Sequence, residues 1–273
     1  SMDFAQGPVA AVLAGDADLC IASPSHLLES ADPSALVLLL AFQQESPLVY
    51  PARRDMGVSG IGDLAGKRAA VWPGGEDLEF RWMLARAGVD PGSVERVPTG
   101  DTVAALLGGD VACAQMTVYH EYHEFLDAGG RDDDVIPLRA ASYGADLLKD
   151  GVLARRDWIE FDSARAQAVV DSLLEGWTLA LDDPARAVSL CCTVRPDMDA
   201  AHHDQQNSDL RNLILTGATL SKGLGFPDTD HMERAARAMA EVEGDALAKP
   251  AKKFVDGRFW QAAPETWRRT SWP

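Results

Sequence analysis

The chain has 273 residues, of which 47% are hydrophobic and 25% charged, so its composition excludes a disordered or fibrous protein and allows one or two packed domains. Its longest apolar run, residues 35–42, is far shorter than the roughly 20 residues of a membrane-spanning helix. The formal net charge of −17 repels phosphate backbones, which argues against a nucleic acid partner.

In chain order, helix and strand patterns alternate through the first half, which favours an α/β architecture with mostly parallel strands. The predicted helices cover residues 8–14 (ending at Gly15), 77–87, 102–107, 119–128, 163–181, 184–192, 199–216 and 229–243. The predicted strands cover residues 17–22, 36–42, 48–50, 68–72, 94–97 and 111–116, and the pattern changes after residues 134–138. Pro51 and residues 55–62 are typical of a linker, and the Trp-rich end, residues 254–273, is expected to pack against a domain.

A glycine pair follows a predicted buried strand at Trp72-Pro73-Gly74-Gly75-Glu76. Glycines let the backbone approach a ligand, and the exposed amides that open a helix bind anionic or carbonyl oxygens. The alternative is an ordinary tight turn, with the acidic side chains complementing the helix dipole.

A second candidate loop, Ser23-Pro24-Ser25-His26, follows the first predicted strand. Ligands of open α/β sheets usually bind at such strand ends, where two hydroxyls and an imidazole would be available. The alternative is that Ser23 or Ser25 caps the next helix and His26 is solvated.

The third stretch, residues 116–124, contains Tyr119, His120, Glu121, His123 and Glu124. Its histidines lie three residues apart on one helix face, but a metal site would need a third ligand, so we expect no metal. We expect Tyr119 to stack on a flat ring and Glu121 to accept hydrogen bonds from amino groups. The alternative is a core tyrosine beside solvated carboxylates.

Several phrases together resemble the type 2 periplasmic binding proteins. The resemblance is to the branch that holds thiamine-pyrimidine synthases and ABC-transporter binding proteins for nitrate, sulfonate, taurine and pyrimidine precursors. The phrases lie at residues 12–18, 61–68, 71–76, 88–91 and 119–121, within a match from about residue 8 to residue 260. The second phrase is similar to the family's "DLKGK" segment, which precedes the strand that opens its second lobe.

The resemblance implies two α/β lobes joined by a hinge, with a ligand clamped in the cleft between them. Residues 1–48 and 145–273 would form lobe 1, and residues 52–140 lobe 2. The implied ligand contacts are Ser23, Ser25, His26, Trp72, Gly74, Gly75, Glu76, Tyr119, Glu121 and Tyr143. His120 stands where many relatives carry Asn, which leaves the ligand undefined.

Two departures from the synthases favour binding over catalysis. The lysine that holds their pyridoxal phosphate corresponds to Ala22, so no Schiff base can form and no cofactor is expected. Their cysteine cluster is missing from residues 143–148, and Cys20, Cys113, Cys191 and Cys192 show neither zinc-site spacing nor a disulfide framework.

We therefore expect a solute-binding protein of an ABC importer that clamps a small nitrogen-containing heterocyclic or anionic metabolite and has a membrane permease as partner. It would be periplasmic or membrane-anchored if a leader has been removed, since the first two residues are typical of a cleaved tag. The alternatives are a cytoplasmic lyase or biosynthetic enzyme that uses His26 as acid or base, with Cys20 or Glu121 assisting, and a sensory module.

Relatives begin with a strand, a helix and a strand, roughly 40 residues, before the segment that matches Pro8. Lobe 1 is therefore expected to lack its first strand-helix-strand. Either the start of the chain is truncated, or a swapped partner chain completes the lobe in a homodimer.

Overall fold

A computed structural model describes residues 7–29, 35–73, 76–197, 200–243 and 253–272. Over these residues the α-helices are α1 (Pro8–Ala14), α2 (Ser25–Glu29), α3 (Leu78–Arg86), α4 (Thr102–Leu107), α5 (Glu121–Asp127), α6 (Arg156–Phe161), α7 (Ser163–Asp182), α8 (Pro184–Val194), α9 (Ala200–Ile214), α10 (Gly217–Ser221), α11 (Thr229–Glu243) and α12 (Arg258–Ala262). The strands are β1 (Leu19–Ala22), β2 (Leu36–Gln43), β3 (Leu48–Arg53), β4 (Arg68–Val71), β5 (Glu95–Pro98), β6 (Cys113–Ala114), β7 (Met116–Thr117), β8 (Val135–Arg139) and β9 (Lys149–Arg155).

The chain folds into two compact units. Unit 1 comprises Ser1–Glu45, Leu147–Arg237 and Ala246–Pro273, and unit 2 comprises Ser46–Asp146 and Ala238–Asp245. None of the helices in the described ranges has the length and apolarity of a membrane span.

Unit 1 is built around a three-stranded sheet in the order β1-β9-β2. Strand β9 is antiparallel to both neighbours, with Ala22 opposite Gly151 on one side and Gln43 opposite Lys149 on the other. All eight residues of β2 are buried, as their apolar run predicts for a strand covered on both faces. Because of this register, the ends of β1 and β2 and the start of β9 meet at one edge of the sheet.

Helices and the chain end complete the core of unit 1. Helix α7 contributes Val170 and Leu174, and the C-terminal segment contributes Phe259 and Trp260. The indole nitrogen of Trp260 donates to the carbonyl of Leu224 at 2.8 Å. The prediction that the Trp-rich end packs against a domain is therefore confirmed for the residues described there.

Unit 2 contains a mixed sheet in the order β5-β4-β6-β3-β7, with β8 also paired to β3. Strands β4, β5 and β6 are parallel, whereas β3 is antiparallel to β6, β7 and β8. Its core includes Val49, Ala70 and Met116 from the sheet and Leu106 and Phe125 from helices α4 and α5.

The expectation of mostly parallel strands is wrong for these pairings: antiparallel ladders predominate in the described residues. Pro51 was expected in a linker but lies inside β3, opposite Pro137. On the other side of β3, Leu48 and Val49 pair with β7 and Ala52 pairs with β6, so Pro51 has no partner residue there. The N–H that proline lacks is therefore not needed for a ladder hydrogen bond on that side.

Two further strand predictions differ from the structure. The strand predicted at 111–116 is replaced by two short strands, β6 and β7, which are separated by Gln115. Strand β6 pairs mainly with β4, whereas β7 pairs with β3. Strand β9 was not predicted at all, because its opening Lys149-Asp150-Gly151 has the composition of a turn.

Candidate functional site

The first candidate loop lies at the edge of the unit 1 sheet. Ser23 follows β1 directly, and its hydroxyl lies 2.7 Å from that of Ser25, the first residue of α2. The backbone N–H of Ser25 also donates to Ser23 Oγ at 3.4 Å, which fits the helix-capping alternative. Both serines are buried, and His26 is half-buried.

A buried lysine completes this loop, and the sequence did not indicate it. Lys149, at the start of β9, is only 7% exposed and donates from Nζ to Ser23 Oγ at 3.1 Å. Gly151 permits this approach: a Cβ there would lie 2.8 Å from Pro24 Cγ and 2.9 Å from Leu38 Cδ1. A hydrogen-bonded chain of one ammonium and two hydroxyls therefore lies at the sheet edge, and we call Ser23, Ser25 and Lys149 the donor cluster.

Two side chains that carry acceptor oxygens, Gln43 and Asp150, lie next to the donor cluster. Gln43, fully buried at the end of β2, donates from Nε2 to Asp150 Oδ2 at 2.5 Å. Burial raises the pKa of Asp150, while the hydrogen bond from Gln43 and the charge of Lys149 act in the opposite direction. The sequence did not indicate Gln43 or Asp150 as site residues, because neither belongs to one of the candidate loops.

The glycine loop, residues 72–76, belongs to unit 2. Gln115, fully buried between β6 and β7, accepts from the N–H of Trp72 at 3.1 Å and donates to the carbonyl of Glu76 at 2.9 Å. One side chain thus holds both ends of the loop, after the carboxyl end of β4. Gly74 and Gly75 lie outside the described residues.

The segment after β7 places its acidic side chain against the backbone. Glu121 Oε2 accepts from the N–H of Thr117 at 2.9 Å and from its hydroxyl at 2.5 Å. Tyr119 is half-buried, and so is Tyr143, which ends a short 3₁₀ helix of unit 2. Glu121 therefore braces the turn that leads into α5, in addition to the ligand role predicted for it.

The sequence offers two other sets of side chains: the histidine pair near α5 for metal binding, and Cys20 as an assistant to an acid or base. His120 Nε2 lies 3.6 Å from Glu124 Oε1, and no group of three His, Cys, Asp or Glu side chains among the described residues could hold a metal ion. Burial raises the pKa of Cys20 to about 11, so its thiol stays protonated near neutral pH.

Solved structures share this fold at low sequence identity. A protein of Bordetella bronchiseptica RB50 is 17% identical, with 95% of this chain and 84% of that chain covered at a TM-score of 0.73. The periplasmic sulfonate-binding protein SsuA of Methylobacillus flagellatus KT is 18% identical, with 96% and 79% covered at 0.65. The alkanesulfonate-binding protein SsuA of Xanthomonas axonopodis pv. citri, bound to MOPS, is 15% identical, with 90% and 83% covered at 0.66.

A search of curated protein sequences finds no match. The model of the NMT1/THI5-like family matches residues 5–187, well over half of the chain. Together with the fold of the periplasmic binding proteins, this match makes the chain a member of the NMT1/THI5-like family.

Proposed function

We propose that this protein is the solute-binding component of an ABC importer and that the donor cluster binds the anionic group of a small ligand. Its partner would be a membrane permease, and its place of action extracytoplasmic. The periplasmic sulfonate-binding relatives named above support this assignment through their shared fold.

The observation that carries the proposal is the buried ammonium of Lys149. Taking a charged group out of water is costly unless hydrogen bonds or an opposite charge compensate it. The Lys149 ammonium donates to the uncharged hydroxyl of Ser23, and the Asp150 carboxylate is a neighbouring charge of opposite sign. An oxyanion could accept from the lysine and from the serine hydroxyls, which favours the anionic ligand over the neutral heterocycle that the sequence also predicted.

Seven ligand contacts that the sequence predicts in the range of unit 2 remain proposals: Trp72, Gly74, Gly75, Glu76, Tyr119, Glu121 and Tyr143. A ring-bearing ligand would use the aromatic ones. Substitution of Tyr119 by alanine would leave affinity unchanged if this role is wrong.

The test is isothermal titration calorimetry with propane-1-sulfonate as the probe. Lys149→Met keeps the aliphatic stem and removes the charge. A hydrogen bond to a charged group is worth about 1.5–3 kcal/mol, so we expect Kd to rise about 10- to 150-fold. The control, Lys222→Met, removes an exposed lysine of unit 1 and should bind the probe as the wild type does.

Thermal unfolding without probe establishes that each variant is folded. Unchanged affinity in Lys149→Met would contradict the proposal. A wild-type protein that binds a neutral aminopyrimidine but not the sulfonate would instead support the heterocyclic ligand.

A further inference from the structure

One acceptor atom beside the donor cluster, Oε1 of Gln43, lacks a hydrogen-bond donor. Gln43 is fully buried, and its Oε1 has no hydrogen-bond partner in the structure. The ionised Asp150 sets its orientation, because with the amide reversed Oε1 would lie 2.5 Å from a carboxylate oxygen. A buried acceptor left unsatisfied is rare and costly, so this atom points to a missing donor.

The backbone at Asp150 is unusual in the same place. Its φ of 48° makes it the one non-glycine residue with a left-handed backbone among those described. Such conformations carry a cost and concentrate at ligand sites. This strained residue carries the carboxylate that accepts from Gln43.

Donors and acceptors lie within the reach of one small molecule. Gln43 and Lys149 are directly opposite in the β2–β9 ladder, so their side chains leave the same face of the sheet with Cβ atoms about 5 Å apart. Asp150 follows Lys149 in the chain and reaches the Gln43 amide. An ammonium and hydroxyls on one side therefore lie next to a carboxylate and an amide oxygen on the other.

We propose that Asp150 and Gln43 form a subsite for a protonated nitrogen, so that the ligand of this protein carries both an anionic group and an N–H cation. The inference rests on the proposed function, because it places the anionic group at the donor cluster. A protonated amine or amidine would donate to Gln43 Oε1 and to the Asp150 carboxylate, supplying the donor that Gln43 Oε1 lacks.

Matched probe pairs test the subsite: propane-1-sulfonate against 3-aminopropane-1-sulfonate, and butanoate against 4-aminobutanoate. Wild-type protein should bind the amino member of at least one pair about tenfold or more tightly, as expected for a charge-assisted hydrogen bond. Asp150→Asn should bind both members of that pair within about threefold. Asparagine tolerates the left-handed backbone and can still accept from Gln43, so the variant should fold.

Asp204→Asn, an exposed change on α9, is the matched control and should keep the wild-type preference. Equal wild-type affinity for both members of each pair, or a preference that survives in Asp150→Asn, would overturn the subsite. Lys149→Met separates the two proposals, because it should weaken both members of a pair. Wild-type protein that binds none of the four probes would contradict the anion site and this inference together.

Discussion

Gly151 is the position where the smallest change should disturb the donor cluster. In Gly151→Ala, the new Cβ would lie 2.8 Å from Pro24 Cγ, 2.9 Å from Leu38 Cδ1 and 3.2 Å from the carbonyl oxygen of Ala22. Carbon atoms in contact normally stay about 3.5 Å or more apart, so the methyl group would have to displace a proline ring and a core leucine.

Overpacking of this kind costs about 1–3 kcal/mol. For a protein of this size each kcal/mol lowers Tm by about 2–4 °C. Because Lys149 lies two residues before Gly151 on β9, the displacement should also lengthen its bond to Ser23. We therefore expect weaker binding of propane-1-sulfonate in addition to the lower Tm.

Gly176→Ala is the control with the same chemical change. Gly176 lies inside helix α7, and a Cβ there meets nothing within 4 Å. Alanine is favoured over glycine in a helix by about 0.5–1 kcal/mol, so this variant should be more stable than the wild type and bind the probe equally well. Thermal unfolding and calorimetry of both variants check the pair. A Gly151→Ala protein with wild-type Tm and affinity would refute the packing argument.

Three further predictions concern single side chains. Gln115→Ala removes both side-chain hydrogen bonds to the glycine loop and leaves the N–H of Trp72 without its acceptor. It should lower the free energy of unfolding, measured by urea titration, by about 1–3 kcal/mol. An unchanged urea midpoint would show that these hydrogen bonds do not stabilise the loop. Asp150 has a raised pKa in the folded state, so its contribution to stability is greatest below the unfolded pKa of about 3.9 and is lost as the pH rises through the folded value. Unfolding curves at several pH values should show Asp150→Asn gaining stability over the wild type toward neutral pH, and a constant difference would contradict the burial argument. Thiol labelling of the native protein, followed by peptide mass spectrometry, should modify the exposed Cys191 and leave the buried Cys113 unmodified. Burial also raises the pKa of Cys113 to about 12, which keeps its thiol protonated. Equal labelling of the two cysteines would contradict the burial of Cys113 in unit 2.

The fold was predictable where hydrophobic pattern and turn chemistry agree. The apolar run that became β2 and the helix ending at Gly15, whose φ is 83°, both follow the pattern directly. Strand β9 could not be found in this way, since Lys149 and Asp150 are polar residues that tertiary contacts bury. The chain's most informative polar residues therefore looked like a turn.

The candidate site was predictable only as loops at strand ends. Ser23 and Ser25 were found because they follow a strand, as ligand-binding residues of α/β sheets commonly do. Gln43 and Lys149 lie more than 100 residues apart in the chain, and only the β2–β9 register brings them opposite each other. Gln115 likewise gains its role from the loop it reaches, which its own position in an apolar segment did not reveal.

The most direct test of the anion site is a crystal structure of the protein with whichever of the four probes binds most tightly. We expect an anionic oxygen of the probe within about 2.7–2.9 Å of Lys149 Nζ, in contact with the hydroxyl of Ser23 or Ser25. A bound probe that makes no contact with Lys149 and leaves its hydrogen bond to Ser23 unchanged would contradict the anion site.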